Sequence, residues 1–154
     1  MNNVLYWANV GDSRLVIVRF ENGIWEAVQV SRDHAPDEPD EARRIISHKG
    51  RIFAKNGDGP PRVWLAKEDR PGLAMTRSLG DRAWHKVGVI SDPEITVVQL
   101  CPEDRFIVMG SDGLFEFLEK EEIANLLSTF GPDNAQEASE AVHNFSKMKW
   151  MEVE

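Results

Sequence analysis

Three closely spaced apolar segments open this chain, and their short joints limit the fold more than any other feature. Residues 4–10 alternate apolar and polar side chains, 15–20 form a nearly continuous apolar run, and 24–30 resume β-rich spacing. Gly11-Asp12-Ser13 and Glu21-Asn22-Gly23 join them. Joints this short cannot hold the helix that a parallel crossover requires, so the segment reads as an antiparallel meander. The expected class is α+β rather than alternating α/β.

Helical signals follow. Pro39 with Asp40 and Glu41 suits a first turn, Ala42, Ile45 and Ile46 suit one apolar face, and Gly50 suits an end, with His48 and Lys49 beside the last carbonyls. Asn56-Gly57-Asp58-Gly59-Pro60-Pro61 cannot continue regular structure, and residues 67–72 are polar again, which makes 54–72 a candidate flap. Residues 95–100 and 106–110 flank the turn-like Cys101-Pro102-Glu103-Asp104 and predict a hairpin. The unbroken Phe106-Ile107-Val108-Met109 predicts a central strand buried on both faces, running straight into Ser111-Asp112-Gly113. Residues 119–127 predict a short helix burying Ile123, Leu126 and Leu127. A longer helix is expected from Asp133, with Gln136 completing a capping box and Ala138, Val142, Phe145 and Met148 on one face.

The length, 154 residues, fits one ordinary domain, and neither repeats nor low-complexity tracts divide it. A net charge of −8 works against nucleic-acid and anionic-membrane binding. Cys101 is the sole cysteine, so neither an internal disulfide nor a multi-cysteine zinc site can form. With no apolar run long enough to span a bilayer, the expectation is an intracellular protein, cytoplasmic or nuclear, with no membrane partner.

Candidate chemistry lies in the turns. Asp112 follows an apolar strand that would hold it rigidly, and Gly113 leaves room for a ligand. A carboxylate so placed suits a hard cation such as Mg²⁺ or Mn²⁺. Glu116, four residues on, shares its side if the turn is helical. Asp12 sits in a tight turn where Gly11 permits close approach, although Asp and Ser also occupy such turns for local reasons. Arg14 suits a phosphate or a surface ion pair. Asp33-His34-Ala35-Pro36 and Thr76-Arg77-Ser78-Leu79-Gly80-Asp81 match no nucleophile triad or zinc cluster, and His34 reads as a turn or capping residue.

In this order the segments resemble the protein phosphatase 2C family of metal-dependent serine/threonine phosphatases. The matching text is Ala8-Asn9-Val10-Gly11-Asp12-Ser13-Arg14, Ser31-Arg32-Asp33-His34-Ala35-Pro36 with Glu41 and Arg44-Ile45, and Arg62-Val63. It continues with Leu73-Ala74-Met75-Thr76-Arg77-Ser78-Leu79-Gly80-Asp81, Pro93-Glu94 and Ser111-Asp112-Gly113-Leu114-Phe115-Glu116, and thins after about Leu127.

The resemblance implies two packed antiparallel sheets flanked by helices, a four-layer sandwich present here in part. It implies a two-metal Mg²⁺ or Mn²⁺ centre whose bridging water attacks phosphoserine or phosphothreonine in protein substrates. By position, Asp112 matches a ligand of that centre, Asp12 matches an acid tied to a further, weaker ion, and Glu116 stands where the family has Asp. Residues 54–72 match a variable flap. The family's early Asp-Gly-His-Gly-Gly element, its general-acid histidine, its phosphate-binding arginine and its late Asp-Asn element have no counterpart, so no catalytic residue is assigned. The expectation is a single partial domain over 1–154, truncated at both ends, inactive alone and partnered by missing segments of its own parent domain. The alternative is a non-catalytic phosphatase-like regulatory or interaction module.

Overall fold

A computed structural model describes residues 3–55, 57, 59–68 and 71–153. Seven strands and five helices occur among them, in the order β1 (Val4–Asn9), β2 (Arg14–Glu21), β3 (Ile24–Gln29), α1 (Pro39–Ser47), β4 (Arg51–Phe53), β5 (Arg62–Trp64), α2 (Arg82–His85), β6 (Glu94–Gln99), β7 (Asp104–Gly110), α3 (Asp112–Phe115), α4 (Lys120–Leu127) and α5 (Ala135–Val153). The α+β class, with antiparallel sheets and helices, is as expected. The chain divides into two compact units, one of residues 1–7, 13–32 and 95–154 and the other of residues 8–12 and 33–94.

In the first unit β2 is central. Its neighbours are β3 and β7, both antiparallel, with Ile17 opposite Val28 on one side and Ile107 on the other. Leu15, Val16, Ile17 and Val18 are all buried, because a strand flanked on both sides and covered on both faces hides every residue. Val16 and Val18 join Phe115, Leu118, Ile123, Leu127, Ala138 and Val142 in the core. Glu122 ties the covering helices together: it accepts from the Glu119 N–H at 3.0 Å and receives Lys149 Nζ at 2.5 Å.

Five expectations are corrected here. The meander is broken: β1 pairs with β6 rather than β2, so Gly11-Asp12-Ser13 is a corner between sheets, not a hairpin turn. β6 and β7 likewise do not pair with each other. β7 borders its sheet rather than centring it, and its residues alternate, with Ile107 and Met109 exposed. Pairing over long sequence separations is set by packing, which local pattern does not report. The capping box falls at Glu119 and Glu122, whereas α5 begins at Ala135, two residues beyond Asp133. α4 buries Ile123, Ala124 and Leu127, with Leu126 only half-buried.

The second unit has a smaller apolar core of Ile45, Val63, Leu65, Val87 and Val89. α1 runs where expected, but Ile46 is exposed and the residue buried beside Ile45 is Glu41. Lys49 adopts φ 65° at the helix end, the left-handed conformation glycine usually takes, and the Gly50 N–H closes on the Ile45 carbonyl at 2.9 Å. Gly50 is required for another reason: a Cβ there would lie 2.6 Å from Ile45 Cγ2 and 2.9 Å from the Val87 carbonyl.

The 54–72 excursion is not structureless. β5 lies within it, pairs with β4 and buries Val63 and Trp64; Asn56, Asp58, Asp69 and Arg70 of that stretch lie outside the described residues.

Candidate functional site

The acids singled out in the sequence fall in different units: Asp112 and Glu116 in the first, Asp12 in the second. Asp112 opens α3, directly after β7 ends, and its side chain is exposed. Its Oδ1 accepts from the Gly113 N–H at 2.8 Å, an arrangement a short acid adopts at a helix start. The rigid support expected from a doubly covered strand is therefore replaced by a border strand and a single turn. Glu116 is also exposed and lines an open cavity of about 1080 Å³, together with Ile107, Met109, Ser111, Val142 and Trp150. Arg14 places its guanidinium 5.7 Å from the centre of the Phe115 ring, a cation–π contact.

Asp12 has a more elaborate setting. It follows Gly11, whose φ of 116° is costly for any residue with a side chain. The Gly11 N–H donates to His34 Nδ1 at 3.0 Å, and the His34 N–H donates to the Gly11 carbonyl, also at 3.0 Å. Asn9 Nδ2 adds a donor to the same carbonyl at 3.3 Å. The His34 carbonyl in turn accepts from the Thr76 N–H at 2.7 Å.

Behind His34 lies a fully buried carboxylate. Glu41 Oε1 receives Arg77 Nη2 at 2.6 Å and Arg44 Nη1 at 2.9 Å, and Oε2 receives Arg44 Nη2 at 2.5 Å. Thr76 Oγ1 stands 2.5 Å from Glu41 Oε2 and 2.9 Å from the His34 carbonyl, and its single proton serves one of them at a time. Arg44 also reaches the carbonyls of Thr76 at 3.0 Å and Gly88 at 2.9 Å, and Arg77 reaches that of Asp92 at 2.9 Å. Burial alone would raise the Glu41 carboxyl, but the bonds from Arg44, Arg77 and Thr76 outweigh it and hold the group well below the usual carboxylate range. Burial pushes the His34 imidazole below its ordinary value, and the Arg77 charge adds to that against Glu41 and Glu94.

Sequence reasoning missed this network. His34, Thr76 and Arg77 lie in the two polar motifs that matched no triad and Glu41 and Arg44 in α1, and the available signal was the presence of Asp-His-x-Pro, Glu-x-x-Arg and Thr-Arg-Ser with no catalytic spacing. Among the described residues no group of three or more His, Cys, Asp or Glu side chains is placed to hold a metal ion. The described acids do not, by themselves, fit a two-metal centre.

The profile of the protein phosphatase 2C family matches residues 1–149. This chain belongs to that family. Phosphatase 2C relatives include a rice (Oryza sativa subsp. japonica) protein named probable protein phosphatase 2C 12, 41% identical over 145 residues, which cover 93% of this chain and 37% of the relative. An Arabidopsis thaliana protein named probable protein phosphatase 2C 72 is 39% identical over 145 residues, 93% of this chain and 44% of that one. The chain thus spans less than half the length of these phosphatase 2C relatives. Among solved structures, serine-threonine phosphatase 2C from Toxoplasma gondii superposes with a TM-score of 0.85 at 19% identity, over 99% of this chain and 51% of that one. A sex-determining protein of C. elegans superposes with a TM-score of 0.79 at 22% identity. At such identities the likeness concerns the fold. Among the described residues, no helix is long and apolar enough to cross a membrane.

Proposed function

We propose that the protein to which this chain contributes removes phosphate from phosphoserine and phosphothreonine in protein substrates, using Mg²⁺ or Mn²⁺. The observation that carries the reading is the family match over 1–149, with close to 40% identity to phosphatases 2C over nearly the whole chain.

In this reading Asp112 supplies one ligand of the metal centre, Asp12 an acid for a weaker further ion, and Glu116 a longer carboxylate near the first. Two hard dications side by side repel strongly, and a lone Asp112 with a peripheral Asp12 cannot offset that. Residues 1–154 alone therefore bind metal weakly and are inactive. Residues 54–72, which include β5, influence which phosphoprotein is accepted, and the protein works inside the cell on phosphorylated partners rather than on nucleic acid or membrane.

The test is Mn²⁺-dependent hydrolysis of a phosphothreonine peptide. Residues 1–154 alone should be inactive, whereas the same residues joined to flanking segments of a phosphatase 2C relative should be active and lose activity with chelator. An inactive joined chain, correctly folded, would instead favour a non-catalytic relative retaining the fold.

A further inference from the structure

The Gly11–Asp12 corner is held by an unusual acceptor. A backbone N–H can only donate, so the 3.0 Å contact between the Gly11 nitrogen and His34 Nδ1 requires a lone pair on Nδ1. A neutral imidazole then carries its proton on Nε2. That Nε2–H is buried, since His34 is 0% exposed, and has no hydrogen-bond partner among the described residues. A buried donor without an acceptor is costly, and a carboxylate oxygen, Glu94 Oε2, stands 3.5 Å away.

The ring therefore spans from the Gly11 N–H to the start of β6. Its own backbone is fixed independently: the His34 N–H on the Gly11 carbonyl, and the His34 carbonyl on Thr76, which Glu41 braces in turn. Gly11 is buried with φ 116°, and a Cβ there would meet the Arg77 carbonyl and Met75 Sδ, each at 3.6 Å. These hydrogen bonds hold the corner from the His34 side.

We infer that His34 is a positioning residue: its imidazole, protonated on Nε2 and facing Glu94, fixes the Gly11 amide and with it the direction in which Asp12 leaves the corner. The significance of Asp12 for metal binding rests on the proposed function; the geometry of the corner does not.

Two isosteres separate this role from simple packing. The Asn side-chain oxygen falls near the position of His Nδ1 and can accept from Gly11, whereas Gln places its polar end near Nε2. In His34→Asn the Gly11 amide should exchange with solvent within a few-fold of the natural rate, and in His34→Gln about tenfold or more faster. Equal exchange in the two variants, both folded by circular dichroism, would overturn the inference. The unaltered chain gives a second readout: ¹⁵N NMR should show His34 protonated on Nε2 only, with a scalar coupling across the hydrogen bond to the Gly11 nitrogen. A proton on Nδ1, or no coupling, would overturn it without any variant. Adding Mn²⁺ alone separates the two readings. Line broadening at Asp12 that weakens in His34→Gln and persists in His34→Asn supports both. Intact coupling without broadening at Asp12 upholds the positioning role and removes Asp12 from the proposed metal set.

Discussion

The two units solve the problem of burial in opposite ways. The first hides a run of aliphatic residues in β2 under α4 and α5, and its ion pairs, such as Lys149 with Glu122, sit part-exposed at the edge. The second has few apolar core residues and buries a glutamate and a histidine completely, with two arginines gripping the carboxylate. Apolar burial is non-directional and tolerates rearrangement, whereas a buried charge is tolerable only when every partner is in place. A polar core therefore specifies geometry more than it adds stability, and in this chain it stands behind a corner that carries a candidate site acid.

The largest expected effect comes from breaking that polar core. Glu41→Ala leaves Arg44 and Arg77 without their partner and should cost about 3–5 kcal/mol. Amide exchange at Val63 and Val89 reads the loss within the second unit; protection left unchanged there would mean the network is ornamental.

In the first unit, Ile123→Ala should cost about 2–4 kcal/mol, since Ile123 is fully buried and its loss leaves a cavity. Exchange at Val16 and Val18 is the measure. The contrast sharpens with shape-conserving changes: Ile123→Leu should be mild, about 1 kcal/mol, whereas Glu41→Gln, equally conservative in shape, should remain severe.

Acid separates the units next. The Glu41 carboxyl is lowered in the fold from its ordinary value of 4.5. Its contribution is therefore complete above that value and is lost as pH falls through the depressed folded one, because the unfolded chain takes up the proton first. Denaturant midpoints for the second unit should fall steeply below about pH 4.5, with the slope reduced in Glu41→Gln. An equal slope in that variant would place the acid sensitivity elsewhere.

Much of this architecture was legible in the residues. Strand and helix positions follow from apolar spacing, and α1 ends where Gly50 suggested, because these are local effects. Pairing was not legible: β1 joins β6 across ninety or so positions, and nothing in Gly11-Asp12-Ser13 distinguishes a hairpin turn from a corner between sheets. The apolar run 106–109 looked like a central strand, yet Ile107 and Met109 face outward and it is β2 that is covered on both sides. Asp112 was recognisable as a motif residue but not as an exposed one. Glu41 and His34 were least legible, since an acid in a helical first turn and a lone histidine each have an ordinary surface explanation. Their burial depends on arginines and a threonine from distant segments.

The smallest effects lie on the surface. Lys49→Gly should stabilise the second unit by about 0.5–1 kcal/mol, because residue 49 occupies the left-handed helix end. Lys149→Met should leave the stability of the first unit close to unchanged, as part-exposed pairs contribute little. Thermal melts with unit-specific probes suffice for both.

Replacing the matching segment of the rice relative with residues 1–154 and assaying Mn²⁺-dependent phosphothreonine hydrolysis tests the functional reading most directly. The chimaera should hydrolyse the peptide and lose at least about a hundredfold of that rate with Asp112→Asn, as expected when a metal ligand or an equally central charge is removed. A folded chimaera with no activity, or one indifferent to Asp112→Asn, would contradict it.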